Sequence, residues 1–479
     1  FGVLGPTRLG YESASSSPLW TVTLAAVLRL VPLTVGIYAP LLLGAASGIG
    51  VLAVFAFCQE YVQVQPGRPG VFLTALLVPI ALFLPGLVVG GMEAAASVLA
   101  ALLLAVLFQR HTEGTLGRPG VGVLFGLSLL GPLIRFEAMF VIAGCLVAAV
   151  VVPPLSRSGR PHLSVSPMSP LTLALVMSAL AWAGVSAFAA VNLAHGQYAL
   201  PNSVMAKSDA GQSFPIFIRL VLLRLQSNLL EDGLLTALLG FVIYRLVHLV
   251  RARLCTELPL VVTFVVATLL HEMLADTGGF FRYQAYLVAL GLLLAFRSAG
   301  QIRLDNNRAG SWQMMGAIVV MAAFAFALPR FYFTAMTPVA MQNIYQQQAQ
   351  VGAFFASQYQ GRAVACDDIG EVSFQHQGRL LDVRGLGSFQ VLKALKERRY
   401  GKDFLESEAR KEDVRAICIH APIIGPVVPS SWVMVAELTE PSTNIVMISP
   451  TAIFYAIDDV TAAELRRKLE MFEPRLPRG

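Results

Sequence analysis

About ten apolar stretches, separated by short polar loops, run from Pro40 to Leu328, and a chain written this way satisfies its backbone most simply as helices crossing a bilayer. They fall at Pro40 to Cys58, Val71 to Val89, Gly91 to Phe108, Pro119 to Leu133, Glu137 to Val152, Leu171 to Leu193, Leu234 to Val250, Leu258 to Met273, Tyr283 to Phe296 and Gln313 to Leu328. Several are shorter than the roughly 20 residues that a hydrocarbon core asks of a helix, which a packed bundle tolerates. Composition excludes a soluble globule: of 479 residues 56% are hydrophobic and 13% charged, with a mean hydropathy of +0.67.

The charges are unevenly dealt. Of the 64 Asp, Glu, Lys and Arg side chains, 33 follow Ala335. That tail, residues 335–479, reads as a water-soluble domain with 16 basic and 17 acidic groups, so the excess positive charge belongs to residues 1–334, with 19 basic against 12 acidic. No basic face for nucleic acid is implied. The five cysteines show neither CxxC nor Cys/His spacing and give no metal signature.

Lys and Arg are retained on the cytoplasmic side of a membrane. The loops bearing Arg68, Arg110, Arg118, Arg157, Arg160, Arg245, Arg251, Arg253, Arg297, Arg303 and Arg308 are the richer alternate set and read as cytoplasmic. Parity then makes Leu19 to Gly36, broken by Arg29 and Pro32, an interfacial or re-entrant helix, with an ordinary span as the alternative, and the stretch with Arg219 and Arg224 a second helix lying in the interface. The opposite loops carry four polar clusters: Glu93; Arg135 and Glu137; His195 to Ser208, with Tyr198, Asn202 and Lys207, the only lysine among the first 334 residues; and Asp276, Arg282 and Tyr283. On one membrane side these clusters would make one pocket, with the tail on the same extracytoplasmic side.

Each cluster has a plainer meaning. Arg135 and Glu137 could anchor a helix end, and Glu93 could cap a helix N-terminus. His271 and Glu272 are half of a zinc-protease motif, but Ala275 stands where the second histidine belongs. Arg282 and Tyr283 after Gly278-Gly279-Phe280-Phe281 could be an aromatic belt with its anchor, or a close approach to phosphate. Taken together, arginines, one lysine and a few carboxylates suit an anionic, lipid-linked substrate. In the tail, RAVACDD, EVSFQH, RLLDVRG, RAICIHAP, SWVMVAEL, NIVMISP and AIFYAID read as strands. Pro338 to Tyr359, Phe389 to Lys396 and Ala462 to Met471 read as helices, which makes one compact α/β or α+β domain. Cys366 and Cys418 are expected as buried free thiols on neighbouring strands, with a disulfide between them as the alternative, and Asp367, Asp368 and Asp382 as turn caps.

In order along the chain, GYESASSSPLW, GGMEAAAS, GLSLLGPLIRFEAMF, GQYALPNSVMAKS, GGFFRYQAYLVALG, VACDDIGEVSF and LLDVRGLGS resemble the GT-C superfamily. These are polytopic glycosyltransferases that use polyprenyl-phosphate sugars at the outer membrane face; the chain is similar to the mycobacterial terminal arabinofuranosyltransferase group. The resemblance implies a polytopic α-helical membrane protein of about ten spans plus an interfacial helix, with a C-terminal extracytoplasmic α/β domain. It implies transfer of a sugar, with inversion, from a polyprenyl-phosphate donor to a hydroxyl of a cell-envelope glycan, lipid or protein. Arg282, Lys207 and Arg135 would hold the phosphate, with Tyr283 beside them. Glu93, Glu137, Tyr198, Asn202 and Asp276 would line the sugar or acceptor side. No cofactor is required, and a role for a divalent cation stays open. Phe136 stands where the family's turn carries proline. The family's first transmembrane helix and the acidic catalytic base after it are expected upstream of Phe1, so residues 1–334 would lack that helix. Two other readings compete: a transporter or flippase for a lipid-linked or anionic solute, and a non-catalytic membrane anchor for an external glycan-binding domain.

Overall fold

The computed structural model describes residues 5–6, 10–60, 77–155, 168–207, 214–252, 257–275, 279–302 and 325–477. They form two compact units. One is helical, Ser17–Ala187 with Ser213–Ala335; in the other, Met336–Gly479 is joined by Phe1–Ser16 and Phe188–Gln212. The boundary near residue 335 agrees with the charge partition. The assignment of the first 16 residues and of the His195 to Lys207 segment to the helical domain does not, because both belong to the sheet-bearing unit.

Among the described residues four helices are long and apolar enough to cross a membrane: Leu33–Cys58, Ala94–Thr112, Pro170–Ala194 and Gly233–Arg251. Five apolar helices are shorter: Pro18–Leu30, Arg118–Ile134, Ala138–Pro153, Leu258–Leu274 and Ala285–Ser298. Length and composition thus support fewer spans than the sequence pattern suggested. The Val71 to Val89 stretch is not one helix in its described part: helix 77–81 stops, Phe83 turns left-handed at φ 54°, and Leu84–Val89 restarts. Pro85 is the cause, since it has no N–H to give the preceding turn and fits best in a first turn. Pro32 likewise divides Leu19 to Gly36 into Pro18–Leu30 and a segment, Leu33–Gly36, that leads into Ala39–Glu60. Most of Gln313 to Leu328 lies outside the described residues.

Burial sorts these helices. Ala94–Thr112 is central, with 72% of its apolar window covered, against 28% for Leu33–Cys58 and Pro170–Ala194. The outer two turn Leu42, Ile49, Leu175 and Trp182 outward. Helices apolar on every side match lipid rather than water. Close packing inside uses small residues: a Cβ on Gly144 would sit 2.5 Å from the Thr263 carbonyl oxygen, so Ala138–Leu155 and Leu258–Leu274 approach backbone to backbone. At the Glu257 end, Arg245 pairs with that buried carboxylate at 3.0 Å and Arg297 with Glu113 at 3.3 Å. Two arginines counted as loop charges are therefore tied into the bundle.

The sheet-bearing unit holds strands β1 (Ala363–Cys366), β2 (Leu380–Asp382), β3 (Val414–Ile419), β4 (Val433–Thr439) and β5 (Thr451–Ala456) in the order β2-β1-β3-β5-β4. β1 runs parallel to β2 and β3, while β5 is antiparallel to β3 and β4. Alternation divides the side chains between two cores. Val364, Cys366, Ala416, Cys418 and Phe454 meet Phe354 and Phe355 of Gln348–Gln358 and Leu465 of Asp459–Phe472. Ala365, Leu381, Ile417 and Ile419 meet Val391 of Phe389–Lys396 and Leu405 of Lys402–Lys411. Helices thus cover both faces, the α/β arrangement expected. Cys366 and Cys418 stand in register on neighbouring strands as buried free thiols.

Two expected strands are absent from the described residues. EVSFQH is the helix Gly370–Gln375, because a parallel β1–β2 pair needs a crossover and not a hairpin. NIVMISP is irregular: Asn343 captures the Ile445 N–H at 2.8 Å and the Thr443 carbonyl at 3.1 Å, replacing ladder bonds with side-chain ones. The Pro338 to Tyr359 helix is two, Thr337–Gln346 and Gln348–Gln358, parted at Gln347, whose amide donates to the carbonyls of Ser449 and Pro450.

Candidate functional site

Five of the expected site residues come together in the helical unit. Arg118–Ile134 ends at Arg135, whose extended backbone turns its side chain into the bundle, where it is 7% exposed. Its Nη1 donates to Glu93 Oε1 at 2.7 Å, and its Nη2 pairs with Glu137. Glu93 precedes Ala94–Thr112 yet makes no capping bond, so its carboxylate serves Arg135 and not the helix end. An anchor at a water interface would not be this buried. Removing one partner from a pair so covered costs roughly 3–5 kcal/mol.

Tyr283 lies against this triad, its ring centroid 4.9 Å from the Arg135 guanidinium carbon and 4.8 Å from that of Arg282. Arg282 donates to Tyr283 Oη at 2.8 Å and its Nη1 lies 2.6 Å from Met92 Sδ. Among the described residues it meets no carboxylate. Its delivery rests on an unusual backbone: Gly279, Phe280 and Phe281 have φ of 56°, 58° and 61°, a left-handed run that two phenylalanines adopt only under restraint. Phe333 supplies restraint, its ring 5.5 Å from Phe280 and 5.6 Å from Phe281. A Cβ on Gly279 would press within 3.0 Å of Arg282 Nε. Behind the triad, His271 contacts Tyr286 Oη at 3.1 Å. Among the described residues no three His, Cys, Asp or Glu side chains form a metal-binding group.

Tyr198 and Asn202 lie in the other unit, near the carboxyl end of β2. There Asp382 accepts N–H groups from Arg384 at 2.7 Å and Gly387 at 2.5 Å, shaping the turn before Phe389–Lys396 and acting as the turn cap expected of it. Burial still lifts its carboxyl to about 6. Asp367 instead holds His420, accepting its backbone N–H at 3.0 Å and lying 2.9 Å from its Nδ1. The Phe389 N–H donates to Glu12 at 3.1 Å, and Asn202 Nδ2 donates to the same oxygen at 3.3 Å. Asn202 is itself fixed by its backbone N–H to the Ser13 carbonyl at 2.7 Å. Burial pushes the Glu12 carboxyl up to about 7, against the opposing pull of the Phe389 N–H, Asn202 and Gln197. Glu12 is the meeting point of three chain segments. Only its acidity in a run of serines marked it in the sequence. Lys207 closes the helix Asn202–Lys207, with its side chain outside the described residues, as is Asp276.

Residues 342–457 match a family described as a domain of unknown function (DUF8728). No curated protein matches the chain. No solved structure matches it.

Proposed function

We propose that the protein is a multi-pass membrane glycosyltransferase moving a sugar from a polyprenyl-phosphate donor to an acceptor hydroxyl of a cell-envelope glycan, lipid or protein. On this reading the chain crosses the membrane about ten times, in the manner of the GT-C enzymes and the arabinofuranosyltransferase group that it resembles, with the sheet-bearing unit extracytoplasmic. The acceptor oxygen attacks the anomeric carbon, the bond to the phosphate oxygen breaks, polyprenyl phosphate leaves, and a carboxylate takes the hydroxyl proton.

The observation that carries this reading is Arg282: a guanidinium without a carboxylate partner among the described residues, held against Tyr283 by a strained backbone. A leaving phosphate is the charge such a group stabilises. Arg135 is already neutralised by Glu93 and Glu137, so its part is to position Tyr283 and, through it, Arg282. Roles for Lys207 at the phosphate, and for Tyr198, Asn202 and Asp276 at the sugars, rest on the resemblance. Membranes carrying the protein and given labelled polyprenyl-phosphate sugar should transfer label to an acceptor. Arg282→Ala should lower donor use roughly ten- to a hundredfold, the loss of one charge-assisted phosphate contact. Uptake without transfer would favour a carrier, and wild-type donor kinetics in Arg282→Ala would remove that residue from the site.

A further inference from the structure

The sheet ends on one side in a strand that its own fold leaves open. Of its two edges, β2 is three residues long and buried throughout, whereas β4 spans seven residues, none of them buried. Past a register shift between Met434 and Ala436, residues 436–439 pair regularly with β5, and on the other side β4 meets no strand among the described residues. Such an edge presents a row of unpaired N–H and C=O groups. A cavity of about 260 Å³ lies along it, between β4 and Asp459–Phe472. Residues 435–438 all line this cavity, and neighbours on a strand point to opposite faces, so it reaches round the free edge instead of lying on one face. Its wall is apolar: Phe354 meets Phe454 and Phe472 edge to face with ring centroids 5.4 Å apart, and Leu438 and Leu469 stand beside them. The charged groups around it are Glu437, Arg466, Glu470 and Glu473, all exposed. Among the described residues none of these four forms an ion pair, whereas Glu464 of the same helix holds Lys468 at 2.7 Å.

These features select the occupant. An extended peptide satisfies the open backbone of β4 and sets a side chain against the apolar wall. Three carboxylates against one guanidinium ask that the peptide be positively charged beside that side chain. A fatty acid would bring another carboxylate to the same rim and leave the strand edge unpaired. Two-fold pairing of β4 with a second copy would set one carboxylate-rich rim against another. We propose that β4 and its cavity form a docking groove for an extended segment of another protein, apolar residues flanked by Lys or Arg, bound by strand addition. Such docking is independent of any sugar transfer.

The test uses the full chain in nanodiscs of neutral lipid, with fluorescein-labelled heptapeptides that alternate lysine with valine, leucine, isoleucine or phenylalanine as probes. At least one should bind saturably by anisotropy and slow amide exchange across Val433–Thr439. Serine in place of its apolar residues should abolish binding, and glutamate in place of its lysines should weaken it about tenfold or more. Glu470→Lys/Glu473→Lys, at exposed positions outside both cores, should also weaken it about tenfold, with circular dichroism unchanged. Absence of binding by every lysine peptide, or binding that leaves the exchange of β4 as it was, overturns the docking groove. Equal affinity in the double variant, or for the serine or glutamate peptides, does the same. Slowing of β4 exchange by protein concentration alone overturns it in favour of a second copy.

Discussion

Replacing Arg135 by leucine is the sharpest perturbation of the helical unit. The guanidinium side chain is 8% exposed and its partners Glu93 and Glu137 are 6% and 16% exposed, so solvent screens neither pair. Arg135→Leu leaves two covered carboxylates facing each other without a cation, for roughly 3–5 kcal/mol lost. Glu93→Gln, by contrast, keeps the Arg135–Glu137 pair and leaves an amide oxygen to accept from Nη1, for about 1–2 kcal/mol. At roughly 2–4 °C per kcal/mol, the thermal midpoint should fall by roughly 6–20 °C in the first and by a few degrees in the second. Tryptophan fluorescence of detergent-purified protein, heated at one scan rate, reads both. The combined variant Glu93→Leu/Arg135→Met/Glu137→Leu should recover most of the loss, because an apolar replacement of the whole triad removes the desolvation cost with the attraction. A midpoint for Arg135→Leu within a degree or two of wild type would mean that the triad is not buried together, and the site built on it would fall.

Gly279→Ala puts a Cβ against Arg282 and Tyr283 at a φ of 56°, and should cost about 1–3 kcal/mol while lowering sugar transfer; unchanged kinetics would show that the left-handed run does not position Arg282. Glu12 binds its proton more tightly folded, at about 7, than at its ordinary 4.5, so the folded unit holds the extra proton and loses stability as pH rises through that window. With solvent reaching part of the group, the loss is about 1–3 kcal/mol. Glu12→Gln should flatten it, as followed by amide exchange of Phe389–Lys396 between pH 5 and pH 8. Alkylation in denaturant without reductant should label both Cys366 and Cys418; an unlabelled pair would reveal a disulfide.

The sequence by itself determined most of the stretches that become helices and strands, because apolar periodicity and the pull of lipid or core act on segments one at a time. Ala94–Thr112, Pro170–Ala194 and β3 could be placed from their own residues. It also marked Arg135, Glu137 and Arg282, since ionised groups at the ends of apolar stretches are costly enough to stand out. Partnership was another matter. That Glu93 leaves its helix end for Arg135 depends on the close approach of two helices, which no spacing along the chain encodes. That Glu12 meets Asn202 and the Phe389 N–H, 190 and 377 residues away, depends on three segments converging near the end of β2. A carboxylate's surroundings set its charge and its chemistry, and those surroundings exist only once the chain is folded.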